Sequence, residues 1–178
     1  MSQPLRIPGD EARAMVSVAV KPDLAFRVFT EHIDSWWRRG MKYRIGGKNR
    51  GILHIQPGVG GGLFETVDTP TGPHIHQTGI VKVWEPGQRL VFDWRAVNFA
   101  PEEATEVEVL FEPTPTGTLV SVIHRGWAKI REDHPVRHGQ PVPTFIRENG
   151  LWWGELLTSL REFCGEGGQA PTPLDQPG

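Results

Sequence analysis

The sequence predicts an α+β domain in which a curled antiparallel sheet is organised around one long amphipathic helix. Three observations carry this. Residues Val142 to Cys164 form the one long stretch with helical periodicity, six short strand signals follow one another between Ile52 and Arg125, and a strand signal followed by helix signals precedes them.

In the long helix, Phe145, Ile146, Trp152, Trp153, Leu156, Leu157, Leu160, Phe163 and Cys164 fall on one arc at 100° per residue, with Arg147, Glu148, Glu155, Thr158 and Glu162 opposite. Pro143 and Thr144 mark its start, and Gly165, Gly167 and Gly168 its stop. Asn149 interrupts the apolar arc, with Gly150 and Gly154 nearby. A helix-interior glycine costs roughly 1 kcal/mol against alanine, so these glycines imply either close packing on a sheet or a cavity under the helix into which Asn149 points.

Taken in order, the chain is expected to begin with a flexible tail over residues 1–13 and to end with a disordered Gly/Pro-rich tail over 165–178, leaving one domain over 14–164. Ala14 to Val20 alternates as a first strand. Pro22 and Asp23 then start a helix with Leu24, Phe26, Val28 and Phe29 on its apolar face, and Ile33, Trp36 and Trp37 make a further short turn. The six strands are Ile52–Gln56, Gly62–Val67, Thr78–Trp84, Arg89–Trp94, Thr105–Glu112 and Thr118–Arg125, joined by turns such as PGVGG, PTGPH, EPGQ and PTPTG, which implies a meander. Val107, Val109 and Phe111 face inward in the fifth of these, and Val120, Val122 and His124 in the sixth. Residues 127–142 lack a period and read as a long loop of the kind that forms a lid or binding edge.

Composition limits the function. A formal charge of −2 from 19 basic and 21 acidic residues, dispersed through the chain, leaves no footprint for nucleic acid. The one local basic excess, Arg38, Arg39, Lys42 and Arg44, reads as a solvated helix end. The single cysteine, Cys164, is expected as a buried reduced thiol. With no signal-peptide core and no apolar run of membrane-spanning length, a soluble cytoplasmic protein is expected. The seven tryptophans are the unusual feature, four of them in the pairs Trp36-Trp37 and Trp152-Trp153.

The Trp36-Trp37 pair after the first helix, the segment Gly58 to Glu65, the strand Glu85 to Trp94, and His124-Arg125-Gly126-Trp127 ahead of a helix with a second Trp pair resemble the START-like, or SRPBCC, superfamily. Within it they are most similar to the activator of heat-shock protein ATPase homologue branch. The resemblance spans about Ala14 to Cys164. It implies a helix-grip fold, with a curved sheet of about seven strands around the C-terminal helix and a hydrophobic cavity between them. It implies little about chemistry, because members bind lipids, hormones or polyketides, act as cyclases, or have no known activity.

No catalytic motif, metal site or cofactor is expected. GVGGG lacks the Gly-Lys-Ser/Thr of a phosphate loop and precedes a strand, so it is a turn. His74 and His76 share a side of an extended segment, but no third ligand is set by spacing. There is no Gly-x-Ser-x-Gly elbow. Among acid/base candidates, Asp93 points outward, Glu65 reads as a surface strand carboxylate at a cavity mouth, Arg125 is a further charge, and His124 points under the helix. The expected function is binding of a small hydrophobic or aromatic ligand, the walls supplied by the pairs Trp36-Trp37 and Trp152-Trp153 together with Phe64, Trp84, Trp94 and Trp127. His124 and Asn149 would orient it. The alternatives are a cyclase or aromatase with His124 as acid/base, and a chaperone-linked interaction module; a homodimer is compatible with each.

Overall fold

A computed structural model describes residues 10–44, 51–95, 99–100, 103–130 and 141–165. The expected tails at 1–9 and 166–178, and most of the expected lid loop (131–140), lie outside them.

The elements are β1 (Glu11–Val18), α1 (Pro22–Glu31), α2 (Ile33–Trp36), β2 (Ile52–Ile55), β3 (Gly62–Thr69), β4 (Gly72–Glu85), β5 (Arg89–Trp94), β6 (Thr105–Thr114), β7 (Gly117–Arg125) and α3 (Val142–Cys164). The seven strands form one sheet in the order β1-β7-β6-β5-β4-β3-β2, all neighbours antiparallel. The predicted meander therefore runs from β2 to β7, and β1 closes it at the far edge. The α+β helix-grip architecture is the one the sequence predicts.

Two strands, β1 and β4, differ most from the sequence reading. β1 starts at Glu11 and ends at Val18, so residues 11–13 belong to the sheet. Asp10 is buried ahead of it because its carboxylate accepts from the backbone N–H of Gly126 (3.1 Å) and Ala128. β4 reaches back to Gly72, which turns the expected PTGPH loop into a tight turn and places His74 and His76 on a strand. At the start of β3, GVGGG is a turn, with Gly58 and Gly60 both at φ +89°.

The core lies between the inner sheet face and one side of α1, α2 and α3. Val107, Val109, Val120, Val122, Leu90 and Phe92 come from the strands, Phe26 and Phe29 from α1, and Leu156, Leu157, Leu160 and Cys164 from the second half of α3. The face α3 buries is the arc read from its period. Burial pushes the Cys164 thiol up to about 12, so it stays protonated at neutral pH. Iodoacetamide at pH 8 is expected to leave native protein unlabelled and to modify it fully once unfolded; labelling at a similar rate in both states would contradict this burial.

The two helix glycines separate. A Cβ on Gly150 would sit 3.2 Å from the Arg13 carbonyl oxygen, a close approach of α3 to β1, whereas one on Gly154 would meet nothing within 4 Å. Gly154→Ala is therefore expected to stabilise the fold by about 1 kcal/mol, the helix-propensity difference, and Gly150→Ala to stabilise less. Urea denaturation of both variants checks the ordering.

Candidate functional site

The first half of α3 does not close on the sheet. Between them lies a cavity of about 840 Å³. One wall is the inner sheet face, with Leu53 on β2, Leu63 and Glu65 on β3, Trp94 on β5 and His124 on β7. The opposite wall is α3, through Phe145, Asn149 and Trp152, and the segment after α2 closes a side with Trp37 and Tyr43.

Trp37 of the first tryptophan pair meets the second pair here, together with Trp94. Among Trp37, Trp94, Trp152 and Trp153, every pair has ring centroids between 5.2 and 6.2 Å, with Trp37 and Trp94 stacked and the others edge-on. Indole N–H groups anchor the cluster: Trp37 donates to the Tyr43 carbonyl at 3.0 Å, Trp152 to that of Lys42 at 2.8 Å, and Trp153 to Nδ1 of His124 at 3.1 Å.

His124 is 1% exposed. Because Nδ1 accepts from Trp153, its proton sits on Nε2 and is donated to Thr105 Oγ1 at 2.7 Å, and that hydroxyl donates in turn to the Trp94 carbonyl at 3.1 Å. Both ring nitrogens are thus committed within the protein. Burial foremost, and then the charge of Arg125, lowers its pKa to about 3, so the ring is neutral at physiological pH. This geometry makes His124 a structural tie between sheet and helix and leaves it no nitrogen for a ligand or for proton transfer.

At the mouth, Lys42 Nζ and the Tyr43 hydroxyl both donate to the Glu155 carboxylate, the lysine at 2.8 Å. The hydrogen bond from Lys42, then that from Tyr43, holds the Glu155 carboxyl below the usual range. Met41 and Leu151 flank the opening, 89% and 66% exposed.

Six of the ten residues expected as ligand walls line the cavity: Trp37, Trp94, His124, Trp127, Asn149 and Trp152. The structure does not bring the other four to it. Trp36 is 1% exposed and packs between Phe29 of α1 and Trp37, with its N–H on the Phe29 carbonyl. Trp84 sits edge-on against Phe26, away from the cavity. Trp153 is fully buried behind Trp152 and supports the wall. Phe64 has the wrong parity: Leu63 and Glu65 point inward, so Phe64 points outward and stacks on His54 at 4.9 Å.

One of the acid/base candidates, Glu65, needs correction, and Asp93 and Arg125 do not. Glu65 is not a surface carboxylate; it is 2% exposed, lines the cavity, and reaches over Gly51, where a Cβ would sit 2.2 Å from Oε2. Asp93 accepts from the backbone N–H of Ile80 at 2.6 Å beside the β4 irregularity. Arg125 points to the outer sheet face, paired with Glu11, Glu106 and Glu108. The basic cluster is a solvated helix end only in part: Arg39 and Lys42 are exposed. Arg38 donates to the Glu155 carbonyl, Arg39 to Asp34, and the Arg44 side chain is fully buried on Asp34. Among the described residues no group of three or more His, Cys, Asp or Glu is placed to hold a metal, and no helix is long and apolar enough to cross a membrane.

The residues the sequence reading missed are Leu53, Leu63, Tyr43, Lys42 and Glu155. The strand pairing Leu53↔Glu65 and Ile55↔Leu63 holds the signal for the first two, since shared parity with apolar partners marks an inner face. Nothing local signals the Tyr43–Glu155 contact, which spans 112 residues.

Comparison with known proteins follows the same lines. No curated protein sequence matches the chain. Among solved structures, SA2116 from Staphylococcus aureus superposes with TM-score 0.61 at 13% identity, covering 85% of this chain and 91% of that one. The Aha1 dimer from Colwellia psychrerythraea gives 0.57 at 15%, covering 88% and 98%. DynU16, from the dynemicin biosynthetic locus, gives 0.59 at 20%, covering 92% of this chain but 49% of that one. Identities this low establish a shared fold and no more. The model of one family, described as Activator of Hsp90 ATPase homolog 1-like protein, matches residues 19–162, from the residues just before α1 almost to the end of α3. With its helix-grip fold, the chain belongs to that family.

Proposed function

We propose that the protein binds a small apolar or aromatic molecule in the cavity between sheet and α3. The observation that carries this is an open space of about 840 Å³ walled by Trp37, Trp94, Trp127, Trp152, Leu53 and Leu63. It lies within the ~300–1,000 Å³ typical of small-molecule sites, which are mostly apolar with a few placed polar groups. Burying 300 Å² of apolar ligand surface there contributes on the order of 7 kcal/mol before ordering costs. A cyclase or aromatase use of the same cavity is disfavoured in the form that assigns proton transfer to His124, whose nitrogens are both engaged. Association as a homodimer belongs to the proposal by analogy with the Colwellia protein, and sedimentation equilibrium tests it.

The main test is a titration with flavonoids, aromatic polyketides and fatty acids, followed by tryptophan fluorescence and melting temperature. A ligand at 100 times its Kd adds about 2.7 kcal/mol of stability, a rise of roughly 5–10 °C in Tm for a domain of this size. The quenching should come from Trp37, Trp94 and Trp152, so Trp94→Phe should reduce it. If no class shifts either signal, the binding reading fails.

A further inference from the structure

Three buried side-chain polar atoms among the described residues have no hydrogen-bond partner: Thr114 Oγ1, Trp127 Nε1 and Asn149 Oδ1. Thr114 is at the β6–β7 turn. The other two line the same cavity. A buried polar group without a partner costs about 1–3 kcal/mol, and a complementary donor and acceptor left open together in one cavity mark a place where something else bonds.

The surroundings place the pair on the α3 side of the cavity, beside His124. Trp127 is 2% exposed, its ring held between His124 and Phe145 with centroids 4.6 Å from each. Phe145, Asn149 and Trp153 follow one another at successive turns on one side of α3, and such neighbours stand about 5–6 Å apart. Asn149 therefore sits between the residue that packs on Trp127 and the residue bonded to His124. Among the described residues neither atom has a partner: His124 is spent on Trp153 and Thr105, while the indoles of Trp36, Trp37, Trp152 and Trp153 have acceptors. Trp127, as buried as Trp36 and Trp153, has none.

We infer that Trp127 Nε1 and Asn149 Oδ1 together read a neutral hydroxyl on the ligand, the hydroxyl oxygen accepting from the indole N–H and its proton going to the amide oxygen. This inference rests on the ligand-cavity reading and narrows the ligand to a hydroxylated apolar compound, such as a phenol or fused-ring alcohol. A carboxylate has no proton for Asn149 and would set negative charge against its oxygen; an ammonium has no lone pair for Trp127. A ketone or ether would satisfy only the indole. In the free protein, water can bridge the same two atoms, and a ligand hydroxyl that displaces it reproduces its bonds.

The test compares 2-naphthol, naphthalene and 2-naphthoate by isothermal titration calorimetry against the wild type, Asn149→Leu and Trp127→Phe. Wild-type protein is expected to hold 2-naphthol at least ~10-fold tighter than naphthalene, because the apolar analogue leaves both buried atoms unpaired, with 2-naphthoate weakest. In each variant the ratio of naphthol to naphthalene affinity should fall to within about threefold of unity. If Trp127→Phe does not fold, the ratio in Asn149→Leu decides alone. Equal wild-type affinities for naphthol and naphthalene, a ratio that survives Asn149→Leu, or a preference for naphthoate would each overturn the inference while leaving the apolar-ligand reading intact. Binding of none of the three overturns both.

Discussion

Between pH 6.5 and 4.5 the protein is expected to lose about 2 kcal/mol of stability through His124 alone. The imidazole is neutral in the folded state, burial having lowered its pKa to about 3 from the ordinary 6.5. Below pH 6.5 the unfolded chain takes up a proton at this residue and the folded chain does not, so stability falls by about 1.4 kcal/mol per pH unit until the folded pKa is reached. The direction is the reverse of that for a histidine held charged by a carboxylate. Protonation would break the bond from Trp153 to Nδ1 and place an uncompensated charge beside Arg125 in the core.

The upper part of this window isolates the effect. Burial raises the pKa values of the Glu11, Asp34 and Glu108 carboxyls, but hydrogen bonds and charge outweigh it and lower all three, from arginines at Glu11 and Glu108 and from the Leu53 N–H and then Arg44 at Asp34. Their contribution is present above their unfolded values of 4.5, 3.8 and 4.5 and is lost only as pH falls through the lower folded ones. His124→Gln supplies an acceptor for Trp153 and a donor for Thr105 but does not titrate. Urea denaturation at half-unit steps should show the wild-type slope between pH 6.5 and 4.5 and a nearly flat variant. Parallel curves would mean that His124 is protonated in the fold or exposed, and would remove it from its role as the tie between sheet and α3.

The fold was legible because its elements carry strong periods. The arc on α3 matches the face it buries, β5 has the bounds read from it, and the parity of Val120, Val122 and His124 comes out as inner. The misreadings have physical causes. β4 extends through His74 and His76 because a tight turn at Gly72, φ +115°, lets the hairpin pair as far as its tip, and turn residues read as a loop when no pairing partner is considered. β1 reaches back to Glu11 because Arg125 and Asp10 supply tertiary bonds that local propensity does not contain.

The site was less legible, since composition identifies aromatic residues but not the direction in which they point. Trp36 and Trp37 are adjacent, and one fills the core while the other walls the cavity. Phe64 outranks Leu63 and Glu65 in a search for aromatic walls, yet the pairing of β2 with β3 turns it outward. Glu65 has the parity of Leu63 and Val67, which is the signal of an inward carboxylate, but a carboxylate on a strand more often marks the wet face.

Arg44→Met should cost about 3–5 kcal/mol, the usual loss when one member of a buried ion pair is removed, and lower Tm by on the order of 10 °C. The Arg44 side chain is fully buried, and its donors hold together a segment that has little regular structure. Nε donates to the Arg38 carbonyl at 3.1 Å, Nη1 to the Asp34 carboxylate and to the Gly51 carbonyl at 2.8 Å, and Nη2 to the carbonyls of Asp34 at 2.8 Å and Trp37 at 2.6 Å. Methionine matches the stem but leaves the carbonyls of Arg38, Asp34 and Trp37 without this donor, while the Gly51 carbonyl keeps only Arg39 and the Asp34 carboxylate keeps Arg39 and the Leu53 N–H. Arg44→Lys should recover only part of the loss, because one ammonium cannot span four backbone carbonyls and a carboxylate in the way a planar guanidinium does. The consequence reaches the cavity, since the neighbouring carbonyls of Lys42 and Tyr43 hold the indoles of Trp152 and Trp37. Both variants should therefore weaken ligand binding and broaden tryptophan emission at temperatures well below their melting points. An Arg44→Met protein as stable as wild type would show that the buried guanidinium is dispensable and that the tryptophan walls are positioned by their own packing.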